Sequence, residues 1–227
     1  ILTLSISCVN SCFSQRDKIG IDKEFIMFLN KFKTVKPPLN YKKTGTWGKD
    51  MTEKEAVKFL NLTELELYPI IKEVGEDDEE NYYKEENMPG CKLKYQLNDS
   101  VYILCILTSI LESNNNMTFA SLYSFTPKGK IIENLLCKQD GINEQGLNNL
   151  TNFVLLDKTH VRVFYYVDNN ARIKEGFRST VYYVNYEITN DGKFVEKDKS
   201  NIMWLKNWAN NYSTYKPQSD DPMNEYE

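Results

Sequence analysis

Histidine is almost absent from this 227-residue sequence, which contains only His160. A zinc site needs histidine, cysteine or carboxylate ligands at recognisable spacing, and no such spacing surrounds His160. Glycine-rich phosphate loops and the G-x-S-x-G and H-E-x-x-H motifs are missing as well. Because His160 stands in a strand-like pattern, we expect it to have a structural role. The sequence therefore predicts no catalytic residue, no metal ligand, no cofactor-binding residue and no cofactor.

A long apolar run and an excess of positive charge are also missing. The longest apolar stretch, residues 101–111, is interrupted by Thr108 and Ser109 and is much shorter than the roughly 20 residues that span a bilayer. The 28 basic and 32 acidic residues give a net charge of −4. Nucleic-acid binding requires a basic surface, so we expect no nucleic-acid partner.

Cysteine is scarce, and the spacing of the five cysteines matches no metal or redox motif. Cys8 and Cys12 lie near the start of the chain. Cys105 lies in an apolar run, where we expect it to be a small buried side chain. Cys91 and Cys137 form a disulfide in one interpretation, which requires an oxidising compartment, and stay free in the other.

Residues 1–14 are apolar or small and carry no charge, which is typical of the end of a secretory signal peptide. The usual methionine and basic segment are missing, so we expect the chain to begin inside this signal. The small residues around Ser14 predict cleavage before Gln15. Alternatively, residues 9–12 resemble a lipoprotein box with Cys12 as the lipidated residue. We expect a protein that is periplasmic, outer-membrane-anchored or secreted and that contacts a membrane only through such a lipid.

Two N-terminal helices are predicted. The first covers residues 21–33, with Asp22 as its cap and an apolar stripe at helical spacing. The second begins at Thr52, because Thr52 and Glu55 have the spacing of a capping box. The predicted apolar positions are Phe25, Phe28, Leu29 and Phe32 in the first helix and Ala56, Val57, Phe59 and Leu60 in the second.

Two polar segments of the N-terminal part are candidate sites. Trp47 lies in a loop of Gly, Lys and Thr and is the candidate for an exposed aromatic contact. Residues 76–80 are all acidic. They lack the alternating ligands and the glycine of a calcium loop, so we expect a solvated loop there.

From Cys91 onward, apolar and polar residues alternate, which indicates β-strands. Turn residues at 98–99, 127–130 and 190–193 separate the strands. Their short spacing favours antiparallel pairing. We predict an α+β protein in which N-terminal helices pack on one face of an antiparallel β-meander of about six to eight strands.

The domain organisation follows from these segments. A single domain is expected to combine a helical part with an acidic loop, residues 15–90, and a sheet with a short C-terminal helix, residues 91–211. That last helix is predicted over residues 201–211, with Trp204 and Trp208 on one side. Residues 1–14 are the signal peptide, and residues 212–227 are a flexible tail.

A resemblance concerns the whole layout of the chain. Residues 12–16 resemble the processing region of exported proteins of Bacteroidetes-type bacteria, which often mature at a glutamine. The phenylalanine-rich helix at residues 25–32, the proline-containing loop and the hairpins closed by Gly-Lys resemble uncharacterised envelope proteins of that group. This resemblance implies a location in the cell envelope and no particular activity.

The function favoured by the sequence is a non-enzymatic binding or structural module with a protein or glycan partner. One alternative is a secreted hydrolase that cleaves a polysaccharide or peptide polymer through a carboxylate pair, for which Glu73, Glu175 and Glu187 are no better placed than other acidic residues. Another is an immunity-type inhibitor of a toxin. An enzyme should show a pocket of polar groups with perturbed pKa values, whereas a binder should show an exposed apolar or aromatic patch.

Overall fold

The structure is a computed structural model that describes residues 20–41, 48–74, 80–112, 115–140, 149–169 and 178–205. The predicted signal peptide, Cys12, Trp47 and the tail at 212–227 lie outside these residues. Within the described ranges, no helix has the length and apolar character needed to cross a membrane. The elements are α1 (Lys23–Leu29), β1 (Lys33–Thr34), β2 (Leu39–Asn40), α2 (Glu53–Leu60), α3 (Glu64–Leu67), β3 (Ile70–Val74), β4 (Glu80–Lys84), β5 (Gly90–Asn98), β6 (Val101–Glu112), β7 (Asn115–Phe125), β8 (Ile131–Asp140), β9 (Asn149–Leu155), β10 (His160–Asn169), β11 (Arg178–Ile188), β12 (Phe194–Lys199) and β13 (Met203–Leu205).

The described strands form three sheets, in a mixed α+β architecture that is mostly β. The first sheet has the order β1-β5-β6-β7-β8, and the second has the order β12-β11-β10-β9-β2 with β13 also paired to β11. β3 and β4 form a separate hairpin. β5 to β8 pair antiparallel in chain order, and so do β9 to β12, whereas β1 runs parallel to β5. The predicted antiparallel pairing is therefore present, but the predicted single meander is divided between two sheets.

The division into two sheets is explained by the buried cluster that lies between them. β6 contributes Ile103, Cys105 and Leu107 to this cluster, and β10 contributes Val161 and Val163. Alternate residues of a strand point to the same side, so each sheet presents one apolar inner face. Each sheet buries the inner face of the other, which a single open meander cannot do.

A second buried cluster contains side chains of the helices and of the opposite face of the first sheet. Phe25 and Phe28 of α1 and Phe59 of α2 share it with Leu104 and Ile106 of β6. β6 is therefore buried on both faces. This accounts for its continuous apolar sequence, because a strand covered on both sides has no solvent-facing positions.

α1 is shorter than the predicted helix at residues 21–33. Asp22 caps it as predicted, since its Oδ1 accepts hydrogen bonds from the backbone N–H groups of Glu24 and Phe25 at 2.8 and 3.1 Å. The helix ends before Phe32 because the next residues pair with β5 as β1. Phe32 is nevertheless 5% exposed, so all four predicted apolar residues of this segment are buried.

The predicted capping box at the start of α2 is confirmed. The N–H of Glu55 donates to Thr52 Oγ1 at 3.3 Å, and the N–H of Thr52 donates to Glu55 Oε2 at 2.8 Å. Glu55 also accepts a bond of 2.5 Å from Lys31 Nζ, which links the end of the α1 segment to α2. One prediction for α2 is wrong: Val57 is 46% exposed, whereas the other three predicted apolar residues are buried.

The structure also differs from the predicted C-terminal helix, and it decides between the two interpretations of Cys91 and Cys137. Residues 203–205 form β13 rather than part of a helix, because their backbone groups pair with β11, where Trp204 lies opposite Thr180. The rest of that predicted helix lies outside the described residues. Cys91 and Cys137 are free, because Cys91 packs with the helices while Cys137 packs between the sheets. Side chains on opposite faces of a sheet cannot reach disulfide geometry.

Candidate functional site

The inner face of the second sheet changes from apolar to hydroxyl-bearing along its strands. Phe153 and Val163 belong to the apolar cluster between the sheets, and the next inward positions on their strands are Thr151 and Tyr165. Tyr165 is paired with Thr151 on β9 and with Tyr182 on β11. We call Thr151, Tyr165 and Tyr182 the hydroxyl row.

The tyrosines of the hydroxyl row contact one another and a third tyrosine. The rings of Tyr165 and Tyr182 stack with centroids 4.9 Å apart and an interplanar angle of 11°. Tyr165 Oη lies 3.4 Å from Tyr186 Oη. Burial raises the pKa of Tyr165, and the hydrogen bond to Tyr186 raises it further. Tyr165 is therefore a neutral phenol at physiological pH and is able to donate a hydrogen bond.

Thr151 gives the hydroxyl row an unsatisfied polar group. Among the described residues, its Oγ1 is the buried side-chain atom that lacks a hydrogen-bond partner. A buried hydroxyl without a partner costs about 1–3 kcal/mol relative to a satisfied one. Native proteins rarely keep such a group, and where it occurs an unseen water or ligand is one explanation.

Two lysines of the first sheet approach one aromatic ring near the hydroxyl row. Lys92 Nζ lies 5.5 Å from the centroid of the Tyr41 ring, and Lys138 Nζ lies 5.8 Å from the same centroid. We call Tyr41, Lys92 and Lys138 the basic–aromatic cluster. Tyr41 also packs against Phe153, with centroids 4.9 Å apart, so the cluster begins one inward position away from Thr151.

A β-bulge explains why Lys92 is buried. The register of β5 against β6 shifts between Cys91 and Leu93, so Lys92 is the extra residue of the bulge. A bulge redirects a side chain and is common beside functional sites. Lys92 as a whole residue is 7% exposed, whereas simple alternation of β5 predicts that its side chain points to solvent.

Burial and positive charge act together on Lys92. Burial is the main cause that lowers the pKa of its ammonium group, and the charges of Lys138 and Lys33 lower it further, while Cys105 opposes them. The two lysines thus place positive charge beside Tyr41, a member of the apolar cluster between the sheets.

His160 lies at a different place, at the start of β10. Its Nδ1 is 2.8 Å from Asp157 Oδ2, and Asp157 also accepts the backbone N–H groups of Thr159 and His160 at 2.6 and 2.9 Å. Across the strand pair it lies opposite Glu187, which forms an ion pair with Lys197. These groups are on the surface, and their hydrogen bonds hold the turn before β10.

The other residues considered from the sequence do not join this site. Cys12, Trp47 and Glu175 lie outside the described residues, and Glu73 lies on the separate β3–β4 hairpin. In the described part of the chain, no group of three or more histidine, cysteine or acidic side chains is placed to hold a metal ion.

Sequence reasoning missed the site for an identifiable reason. Lys92 and Lys94 flank Leu93 in an alternating pattern, and alternation alone predicts both lysines on the solvent side. Thr151, Tyr165 and Tyr182 are far apart in sequence and become neighbours only through strand register.

Compared with known proteins, the chain matches no family model, no curated protein and no solved structure.

Proposed function

We propose that the protein is an exported binding module of the cell envelope without catalytic activity, and that it binds its protein or glycan partner at the hydroxyl row. The observation that carries this proposal is the buried, unpartnered hydroxyl of Thr151 beside Tyr165 and Tyr182. A ligand that offers a hydrogen-bond acceptor to Thr151 removes the cost of that unsatisfied group when it binds.

The tyrosines support the same proposal. Tyr165 and Tyr182 present aromatic rings and phenolic hydroxyls side by side and are only half-buried. Side chains of this kind supply contact area with little loss of conformational freedom, and their hydroxyls give directional contacts. Sugars and extended peptides both carry the acceptors and flat faces that such a surface suits.

A hydrolase is less well supported by the carboxyl groups of the described residues. A general acid needs a raised pKa, as in glycosidases that work with a carboxylate pair. Hydrogen bonds to the backbone of Thr159 and to His160 outweigh desolvation and lower the pKa of Asp157. The bond from Lys197 lowers the pKa of Glu187. Both carboxyls are ionised at neutral pH and are unsuited to donate a proton.

In this proposal the N-terminal helices are a supporting layer on the first sheet. Phe25 and Phe28 share a buried cluster with Ile106 of β6, on the face opposite to the ligand. The helices thereby hold in place the first sheet, whose opposite face bears Lys92 and Cys137.

Export is proposed from the uncharged apolar residues before Gln15, and envelope location from the resemblance in layout to Bacteroidetes-type exported proteins.

Binding is tested with a panel of cell-wall oligosaccharides and extended peptides, with the thermal unfolding midpoint as readout. We expect at least one member to raise the midpoint of the wild type. Thr151→Val should lose that response, whereas Thr108→Val, on β6 and outside the row, should keep it. If no member raises the midpoint, or if members are cleaved during incubation, the proposal is wrong.

Export is tested by determining the N-terminus and the intact mass of the protein from its native cells. A chain that starts at Gln15 fits a cleaved signal, and fatty acid on Cys12 fits the lipoprotein version. Recovery of the unprocessed chain from the cytoplasm would contradict both.

A further inference from the structure

We propose that α3 and the β3–β4 hairpin form a second binding surface, separate from the hydroxyl row, which docks a basic segment of a protein partner. The surface consists of Leu65 of α3, Ile70 of β3 and Tyr82 of β4, and we call it the hairpin surface. This proposal goes beyond the function proposed above and needs no ligand at the hydroxyl row. It depends on the side chains that the hairpin exposes, on the contacts that hold the hairpin, and on the charge of its sequence.

The first support is a pair of exposed side chains on one face of the hairpin. Ile70 is 57% exposed and Tyr82 is 61% exposed, although Tyr82 has a further interaction within the protein. The register of the hairpin places Ile70 opposite Lys84 and Tyr82 opposite Lys72. Opposite and alternate positions share a face of a two-stranded sheet, so Ile70 and Tyr82 are diagonal neighbours. An aliphatic and an aromatic side chain therefore lie side by side in solvent.

The helix α3 extends this face. Lys84 Nζ lies 3.2 Å from Glu64 Oε1, which brings the start of α3 to the side of the hairpin that carries Ile70. Leu65 follows Glu64 and is exposed. Among the described residues, four of the ten large apolar or aromatic side chains that are exposed lie within residues 65–83. Single exposed apolar side chains are ordinary, but a concentration of them marks an interaction surface.

The second support is that the hairpin is held in place. Ile71, on its other face, is buried. The side-chain amide of Asn87 donates to the carbonyl oxygen of Ser109 on β6 at 2.6 Å, and its backbone N–H donates to the carbonyl oxygen of Leu67 at 2.8 Å. A two-stranded hairpin alone is only marginally stable in water, so these contacts order it. A surface that is ordered in advance loses little conformational freedom when a partner binds.

The third support is charge, which selects the partner. The described residues 64–74 and 80–86 include six acidic and two basic residues, and the sequence that joins β3 to β4 adds only acidic charge. Outside residues 64–86, basic residues outnumber acidic ones. Opposite charge steers a basic partner to this part of the chain and repels an acidic one.

The combination of apolar and acidic residues defines the partner more closely. Protein interfaces typically have an apolar and aromatic centre with a polar rim, and tyrosine is enriched among the residues that dominate binding energy. The matching partner is a segment rich in lysine or arginine that also carries apolar side chains. A second copy of this chain fits less well, because a symmetric contact would place two acidic hairpins together.

The test uses two synthetic peptides as probes, one with three Lys-Leu-Lys repeats and one with three Lys-Ser-Lys repeats. They have the same charge and differ in apolar side chains. Binding to the full mature chain is measured by calorimetry for the wild type, Ile70→Ser and Glu86→Lys. The matched controls are Ile202→Ser, at an isoleucine that is 61% exposed, and Glu196→Lys, at an exposed position of β12. The changed positions are on the surface, so the fold should tolerate each substitution.

We expect the wild type to bind the leucine peptide more tightly than the serine peptide by about fivefold to thirtyfold, the scale for burying one or two apolar side chains. Ile70→Ser should remove most of this preference, and Glu86→Lys should weaken binding of both peptides. Ile202→Ser and Glu196→Lys should behave as the wild type does. In wild-type protein with ¹³C-labelled isoleucine methyl groups, the leucine peptide should shift the resonance of Ile70 and leave that of Ile202 in place.

Several outcomes would overturn the proposal. It is wrong if neither peptide binds, if both bind equally well, or if the leucine peptide binds without shifting the Ile70 resonance. It is also wrong if the Ile70 resonance shifts with protein concentration in the absence of peptide, because a second copy then occupies the surface.

Thr151→Val separates this proposal from the function proposed for the hydroxyl row. This variant should bind both peptides as the wild type does, because Thr151 lies on β9 and not on the hairpin. If the panel of oligosaccharides and extended peptides fails at the hydroxyl row, the hairpin surface still stands when the leucine peptide binds there. Loss of peptide binding in Thr151→Val would show that the two surfaces are not separate.

Discussion

Phe28 stacks on Phe59 with ring centroids 4.5 Å apart and an interplanar angle of 21°, which joins α1 directly to α2. Phe28 is fully buried, and its ring also packs against Phe32 with a centroid distance of 5.1 Å and against Phe125 of β7 with a distance of 6.4 Å. One side chain thus contacts both helical segments and the first sheet.

Phe28→Ala should therefore lower the free energy of unfolding by about 3–5 kcal/mol, the usual cost of emptying a large core site. Met27→Ala is the matched control, because the neighbouring Met27 is 63% exposed and its replacement should change stability by less than about 0.5 kcal/mol. Urea denaturation of the two variants measures the difference. Equal midpoints would show that this cluster contributes little.

Gly129→Ala should destabilise the protein more than Gly20→Ala. Both glycines have positive φ, +74° and +58°, so alanine costs about 1–2 kcal/mol at either position. A Cβ at Gly129 would also lie 2.8 Å from Phe59 Cε1 and 2.9 Å from Phe25 Cδ2, whereas nothing lies within 4 Å at Gly20. The additional loss, about 1–3 kcal/mol for overpacking, is measured by thermal denaturation. A similar loss of stability in both variants would mean that Gly129 is not tightly packed against Phe59 and Phe25.

The described cysteines should resist alkylation in the native protein. Burial raises the pKa of Cys91 and of Cys105 to about 12, and burial also raises the pKa of Cys137. The reactive thiolate is therefore scarce at pH 8, and the side chains are inaccessible. Mass spectrometry of a chain that starts at Gln15 should show no iodoacetamide adduct when folded and three adducts in denaturant. Rapid labelling of the folded chain would contradict the burial of these thiols.

Stability should fall on acidification through Glu55. Desolvation raises the pKa of this carboxyl, but the hydrogen bonds from Lys31 and from Thr52 outweigh it and hold the pKa below its usual value. A group with a lowered folded pKa contributes stability that is present above its unfolded pKa, about 4.3 for glutamate, and that is lost as the pH falls through the folded value.

Urea midpoints measured between neutral pH and about pH 3 test this dependence. Glu55→Gln should be less stable than the wild type at neutral pH, and the difference should shrink as the pH falls. Glutamine keeps the capping geometry and removes the charge that pairs with Lys31, so the comparison isolates the ionised group. If the wild type and Glu55→Gln lose the same amount of stability as the pH falls, groups other than Glu55 determine the loss of stability in acid.

Local features of the fold were predictable because neighbouring residues determine them. The Asp22 cap, the capping box of Thr52 and Glu55 and the turn at residues 190–193 all appear where the sequence places them. Each depends on hydrogen bonds or backbone preferences within about four residues. The end of α1 was not predictable in this way, because the pairing of β1 with a strand about sixty residues later decides it.

The candidate site was not predictable for a related reason. Period-two alternation assigned Lys92 to the solvent side, and the register shift at the bulge reversed that assignment. The hydroxyl row required the pairing of Tyr165 with both Thr151 and Tyr182, which no local pattern specifies.

The sequence by itself determined that this chain is an α+β protein rich in antiparallel strands, where its first two helices begin, and that the main strands lie after Cys91. These properties follow from periodicity, caps and turns, which act over short distances along the chain. Only the tertiary structure decided that the strands separate into two facing sheets, that β6 is covered on both sides, and that Lys92 and Thr151 point into the interior. Those outcomes depend on which apolar faces bury one another and in what register, and they involve residues far apart in sequence.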